Sequence, residues 1–150
     1  MNEGVGEMGV LLIVDDEEIN VSTLSRLMRR WLKASRLDDR VSVIGACGSS
    51  GALTAIRAME GKRRTFMITD RAMPGGFGTQ LIRDSIEVLS RIENPQPFCP
   101  VMLTGNVDKR DEALEAGAHA FYHKPLREGE AEDLRRRITS FFADAGTPAC

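Results

Sequence analysis

The chain has 150 residues, 42% hydrophobic and 28% charged, a length and mix that suit one globular domain with its own core and little besides. A net charge of -2 provides no basic field for DNA, RNA or an anionic membrane, so direct nucleic-acid and membrane roles are set aside. No apolar run is long enough to cross a bilayer, and the N-terminal MNEGVGEMG lacks the basic flank and apolar stretch of a signal peptide.

Residues 1–8 read as a flexible N-terminus. Val10–Val14 (VLLIV) is apolar at every position, which suits a strand covered on both faces. Leu24, Leu27, Met28, Trp31 and Leu32 then form a helical stripe. Val41–Ala46 reads as a second strand and Gly51–Met59 as a weaker, alanine-rich helix. Phe66–Thr69 reads as a third strand, followed by a helix marked by Ile82, Ile86 and Leu89 that ends at the Asn94-Pro-Gln-Pro loop. Val101–Leu103 and Ala118–Tyr122 complete the strands. Val107–Ala116 reads as the fourth helix, and Leu134, Ile138, Phe141 and Phe142 mark the apolar face of the fifth. The tail 144–150, with GTPAC at its end, reads as frayed and flexible.

Strict β-α alternation predicts an α/β fold: a doubly wound, five-stranded parallel sheet of order 2-1-3-4-5, with right-handed crossovers. The three cysteines, Cys47, Cys99 and Cys150, are far apart and form no CxxC pair, so they read as thiols in a reducing cytosol.

The polar residues that interrupt the pattern fall at strand ends. Asp15 and Asp16 follow the first strand, Asp70 the third, Thr104 the fourth and Lys124 the fifth. In a parallel sheet these ends share one edge, where ligands bind at the topological switch point. Taken singly, each has an ordinary explanation: a helix cap, a turn or a solvated loop. Together, three carboxylates facing one lysine leave a local charge of about -2 that a hard cation, Mg2+, would offset. An aspartate there is a competent nucleophile for a phosphoryl group, with Lys124 and Thr104 placed to meet the phosphoryl oxygens.

The segments LLIVDDEEIN, ITDRAMPGGFG, VMLTGN and AFYHKPL, in this order, resemble the receiver domain of bacterial response regulators, the (βα)5 flavodoxin-like family of the chemotaxis regulator. The likeness covers residues 9–143. It implies that Asp70 is the phosphoacceptor, and that Asp16, Asp70 and the backbone carbonyl of Ala72 ligate Mg2+ directly while Asp15 acts through water. It further implies that Thr104 is the switch hydroxyl, Lys124 the phosphoryl-binding cation, Phe121 the switch aromatic, and Lys124–Pro125 a cis peptide. The partners it implies are a histidine kinase or histidine phosphotransfer protein, and a downstream protein or second copy on the face of the fourth helix, fifth strand and fifth helix. A cytoplasmic signalling role follows, without turnover of an external substrate. Ala72 and Asn106 are expected to flank the path of a hydrolytic water, and small Ala72 to leave that path open and the phosphoryl group short-lived. The PGGFG loop after Asp70 and the long RIENPQPFCP exit depart from the commoner pattern.

Three rival readings remain. Since the chain begins with Met and ends soon after its last helix, a stand-alone regulator is expected over a fragment of a hybrid kinase or multidomain regulator. A dehalogenase-type phosphatase with an aspartate nucleophile wants Asp-x-Asp after its first strand, where this chain has Asp-Asp-Glu. A nucleotide or flavin binder wants Gly, Ser or Thr donors there instead of acids. His119 and His123 lack a third metal-ligand partner in the sequence pattern, and Arg135–Arg137 reads as a solvated basic run or a partner surface.

Overall fold

The computed structural model describes residues 9–143; the two expected flexible termini lie outside the described residues. Seven strands and five α-helices follow one another as β1 (Gly9–Val14), α1 (Glu18–Ala34), β2 (Val41–Ala46), α2 (Ser49–Met59), β3 (Arg64–Thr69), β4 (Ala72–Met73), β5 (Gly76–Phe77), α3 (Gly78–Ser90), β6 (Phe98–Thr104), α4 (Arg110–Ala116), β7 (Ala120–His123) and α5 (Glu128–Ala143). The five long strands form one parallel sheet in the order β2-β1-β3-β6-β7. This is the expected 2-1-3-4-5 arrangement. No described helix is long and apolar enough to cross a membrane.

Strands β1 and β3 are buried along their whole length, as uninterrupted apolar runs in the middle of a two-sided sheet must be. Successive residues of each strand feed opposite faces. On one face Leu11, Ile13, Phe66, Ile68 and Val101 meet α1 and α5. There Phe66 meets Phe141 edge-on at 5.7 Å and Phe141 meets Phe142 at 4.9 Å, geometries that aromatic quadrupoles favour. On the other face Val10, Leu12, Met67 and Met102 meet α2, α3 and α4 through Ala52, Ile56, Leu81, Ile82 and Ala113.

Several local expectations shift. The buried line of α1 is Val21, Ser25, Met28 and Leu32, while Leu24, Leu27 and Trp31 only flank the core. Ile86 is 40% exposed, although its spacing from Ile82 suggests burial. The last strand begins at Ala120 instead of Ala118 because Gly117, at φ 115°, ends α4 in the left-handed region and Ala118 N–H bonds back to the Ala113 carbonyl. Cys99 is buried and disulfide-bonded, which corrects the expectation of a free thiol there; Cys47 is free and exposed. The sequence pattern also misses the β4–β5 hairpin, a two-residue pairing of Ala72 with Phe77 and Met73 with Gly76. Gly75 and Gly76 adopt φ of 88° and 157° in it, so the PGGFG departure builds a turn that side chains would strain.

Candidate functional site

Register brings the site together. Val14 pairs with Thr69, so Asp15 and Asp70 emerge side by side just past the strand ends, and Asp70 N–H donates to the Val14 carbonyl at 3.1 Å. Thr104 pairs with His123, and Lys124 N–H donates to the Thr104 carbonyl at 3.0 Å. The lysine thus leaves β7 beside the threonine, and the Lys124–Pro125 peptide that follows is cis.

One carboxylate oxygen each from Asp15, Asp16 and Asp70 lies within 4.8 Å of the others. Lys124 Nζ bridges two of them, at 2.5 Å from Asp15 Oδ2 and 3.2 Å from Asp70 Oδ2. Asp15 is buried, Asp70 half-buried and Asp16 exposed. Burial works to raise the Asp15 carboxyl, but the bonds from Lys124 and the Glu17 N–H outweigh it and hold it below the ordinary carboxylate value. Asp16 is pushed up, first by its hydrogen bond with Asp15 and then by desolvation and the neighbouring negative charges. Burial works to lower the Lys124 ammonium, yet the Asp15 bond and the Asp70 charge leave it raised. Three carboxylates against a single lysine leave an excess of negative charge. Hard oxygen donors at this spacing suit a cation of the Mg2+ or Ca2+ class.

Three contacts orient the carboxylates. Asp15 Oδ1 accepts the Glu17 N–H at 3.0 Å and the Asn20 amide at 3.4 Å. Asp70 Oδ1 accepts the Arg71 N–H at 2.7 Å. A β-carbon on Gly78 would stand 2.1 Å from the Asp70 carbonyl oxygen, so only glycine allows α3 to begin so close to this residue. Asn20 and Arg71 do not stand out in the sequence; the one available signal is that Asn20 follows Asp15 by five residues, on the first turn of α1.

Thr104 is buried, and its Oγ1 accepts the Asn106 N–H at 3.3 Å. Ala72 and Asn106 are both exposed. Phe121 is only 7% exposed, its ring already inside the α2–α4 face. His123 Nδ1 lies 2.7 Å from Glu130, whereas His119 is part of no candidate metal cluster among the described residues. Of the basic run, Arg136 and Arg137 pair with Asp133 of their own helix.

Beside the carboxylates a cavity of about 660 Å3 opens between α1 and the loop after β7. Leu24, Leu27 and Leu126 give it apolar walls, and Arg26 and Arg30 also line it. Asp70 and Lys124 belong to the same lining, so anything seated there reaches the acids.

No family model matches the chain. Among curated proteins, the two-component response regulator ARR5 of Arabidopsis thaliana is 28% identical over 127 residues, 83% of this chain and 67% of that protein. ARR3 of the same plant is 29% identical over 131 residues, 86% of this chain and 55% of that protein. Hybrid signal transduction histidine kinase L of Dictyostelium discoideum is 26% identical over 132 residues, which is 87% of this chain but 7% of the kinase. Among solved structures, a response regulator receiver domain protein from Clostridium thermocellum superposes with a TM-score of 0.65 at 22% identity, covering 91% of this chain and 95% of that one. A chain from the co-crystal of the Saccharomyces cerevisiae phosphotransfer protein Ypd1 with the receiver domain of its downstream regulator Ssk1 gives a TM-score of 0.67 at 20% identity, covering 93% and 92%. The structural neighbours are response-regulator receiver domains, and the flavodoxin-like fold described above is theirs.

Proposed function

We propose that this chain is a phosphoacceptor receiver module of two-component signalling, in which Asp70 takes a phosphoryl group from the phosphohistidine of a histidine kinase or histidine phosphotransfer protein. The observation that carries this reading is the juxtaposition of Asp15, Asp16 and Asp70 within 4.8 Å, with Lys124 reaching two of them. In this reading an Asp70 carboxylate oxygen attacks phosphorus as the phosphorus–nitrogen bond to histidine breaks, and the bonding pair returns to the imidazole. Asp16, Asp70 and the Ala72 carbonyl would hold a Mg2+ ion, with Asp15 acting through water, and the ion would supply charge neutralisation. The Arg71 N–H aims the nucleophile, Lys124 meets a phosphoryl oxygen, and Thr104 turns its hydroxyl from Asn106 toward the group.

The cavity beside Asp70 is the surface we assign to the donor, since Asp70 and Lys124 both line it. Change at Thr104 and repacking around the buried Phe121 would then alter the face formed by α4, β7 and α5, where a downstream protein or a second copy binds. The module acts in the cytoplasm and turns over no external substrate. The match to a small fraction of a hybrid kinase supports a second setting, the same module within a longer chain.

Incubation with acetyl phosphate or phosphoramidate and Mg2+, read by intact mass, tests the chemistry. The wild type gains one phosphoryl group, chelation of the metal suppresses the gain, and Asp70→Asn shows none. Equal labelling of wild type and variant rejects Asp70 as the acceptor.

A further inference from the structure

Arg71 touches both the acceptor and the fourth helix. Its backbone N–H donates to Asp70 Oδ1 at 2.7 Å, and its Nε donates to Glu112 Oε2 of α4 at 2.9 Å. Its guanidinium lies 5.2 Å from the centroid of the half-exposed Phe77 ring, a cation–π contact from the hairpin that follows Asp70. The Arg71 carbonyl accepts the Gly78 N–H at 2.6 Å, which fixes its backbone against the start of α3.

The helix at the far end of this contact is poorly anchored otherwise. It has seven residues and buries only Ala113 and Ala116; the single 3-10 turn that leads into it, Val107–Lys109, is capped by the Asn106 side chain, which accepts the Asp108 N–H at 3.3 Å. Two turns of helix are unstable alone, and alanine side chains supply little apolar area against the sheet. One ion pair therefore matters more to α4 than to a long amphipathic helix such as α5. The same helix closely follows Thr104 in the chain.

We propose that Arg71 is a positioning residue that couples the state of Asp70 to α4: its bridge to Glu112 clamps the helix in the unmodified chain and loosens when Asp70 carries a phosphoryl group. This rests on the reading of Asp70 as acceptor and adds the route by which that site is heard elsewhere. A carboxylate carries one negative charge and an acyl phosphate about two. The added charge appears on the residue next to Arg71 and competes with Glu112 for the guanidinium. The carboxylate oxygen that held the Arg71 N–H changes its acceptor strength in the same event. Both effects act on residue 71, and α4 loses its hold.

Hydrogen exchange of the α4 amides, with and without beryllofluoride as the stable phosphoryl mimic and with Mg2+ present in both arms, tests this on the full chain. Wild-type α4 exchanges about threefold or more faster when the mimic is bound. Glu112→Gln and Arg71→Gln show that faster exchange without the mimic and little further change with it, while α5 exchange stays as in the wild type and reports that the fold is intact. If fluorine NMR shows the mimic bound to wild type but α4 exchange is the same in all three proteins and both conditions, the coupling is overturned and the acceptor reading stands. If the mimic does not bind wild type at all, the acceptor reading fails and the coupling fails with it.

Discussion

Phe66 and Met67 are neighbours on one strand and both are fully buried, yet they serve two different interiors. Phe66 enters the face under α1 and α5, where three phenylalanine rings interlock and the Arg64 guanidinium lies 5.0 Å over Phe141. Met67 enters the face under α2, α3 and α4, where Met67, Met73, Met102, Ala52, Ala113 and Ala118 pack among branched aliphatic side chains such as Leu12, Ile56 and Ile82. Rigid rings hold a single packing, whereas thioether chains rearrange at low cost. The anchored face carries the long helices. The adaptable one carries the short α4 and the buried Phe121, which are the elements that the proposed signalling needs to move.

Replacing residues on the two faces measures this difference directly. Phe66→Ala should cost about 3–5 kcal/mol, since it opens a cavity among rings that cannot collapse into it. Urea unfolding followed by the fluorescence of Trp31, the chain's one tryptophan, reads the loss. A loss close to that of a surface substitution would mean that the aromatic face is not the anchor.

A smaller effect on the same face is set by pH. Tyr122 donates to Asp133 Oδ2 at 2.6 Å and accepts from Arg137 Nε at 3.2 Å. Burial, then the Asp133 bond, pushes its phenol up to about 12. The folded value lies above the unfolded value of about 10, so this group's contribution is complete below pH 10 and is lost as pH rises from there through 12. Tyr122 is the only tyrosine, so an ultraviolet titration reports it alone. The folded chain should ionise near 12, and Asp133→Asn should move the midpoint down. A midpoint near 10 in folded protein would show that α5 does not seal this residue.

The smallest change is expected on the other face. Met67→Leu conserves volume and should cost under about 1.5 kcal/mol, because flexible neighbours take up the change. Phe66→Leu loses its edge-on ring contact as well, worth about 0.5–1.5 kcal/mol more. Equal losses for the two leucine variants would erase the distinction between the faces.

Much of the site is legible along the chain because each of its residues ends a strand, and strand ends of a parallel sheet share an edge. Asp15, Asp70, Thr104 and Lys124 can be collected from the sequence on that ground alone, and register then makes them neighbours. Ile86 is misplaced because periodicity gives a helix its apolar side without saying how far the neighbouring element extends over it. Arg71 reads as one more loop arginine; its meaning comes from Glu112, 41 positions away. The β4–β5 hairpin is hidden because two-residue strands have no periodicity to detect.

The sequence by itself determines the alternation of strand and helix, the strand order that follows from short right-handed crossovers, and the collection of acids, alcohol and amine on one edge. These are properties of hydrophobic period and of chain connectivity, which are local. The tertiary structure alone decides which acid Lys124 approaches more closely, that Phe121 lies inside, and that α4 is held through Arg71. Those depend on distances between segments far apart in the chain, and no run of neighbouring residues encodes a distance of that kind.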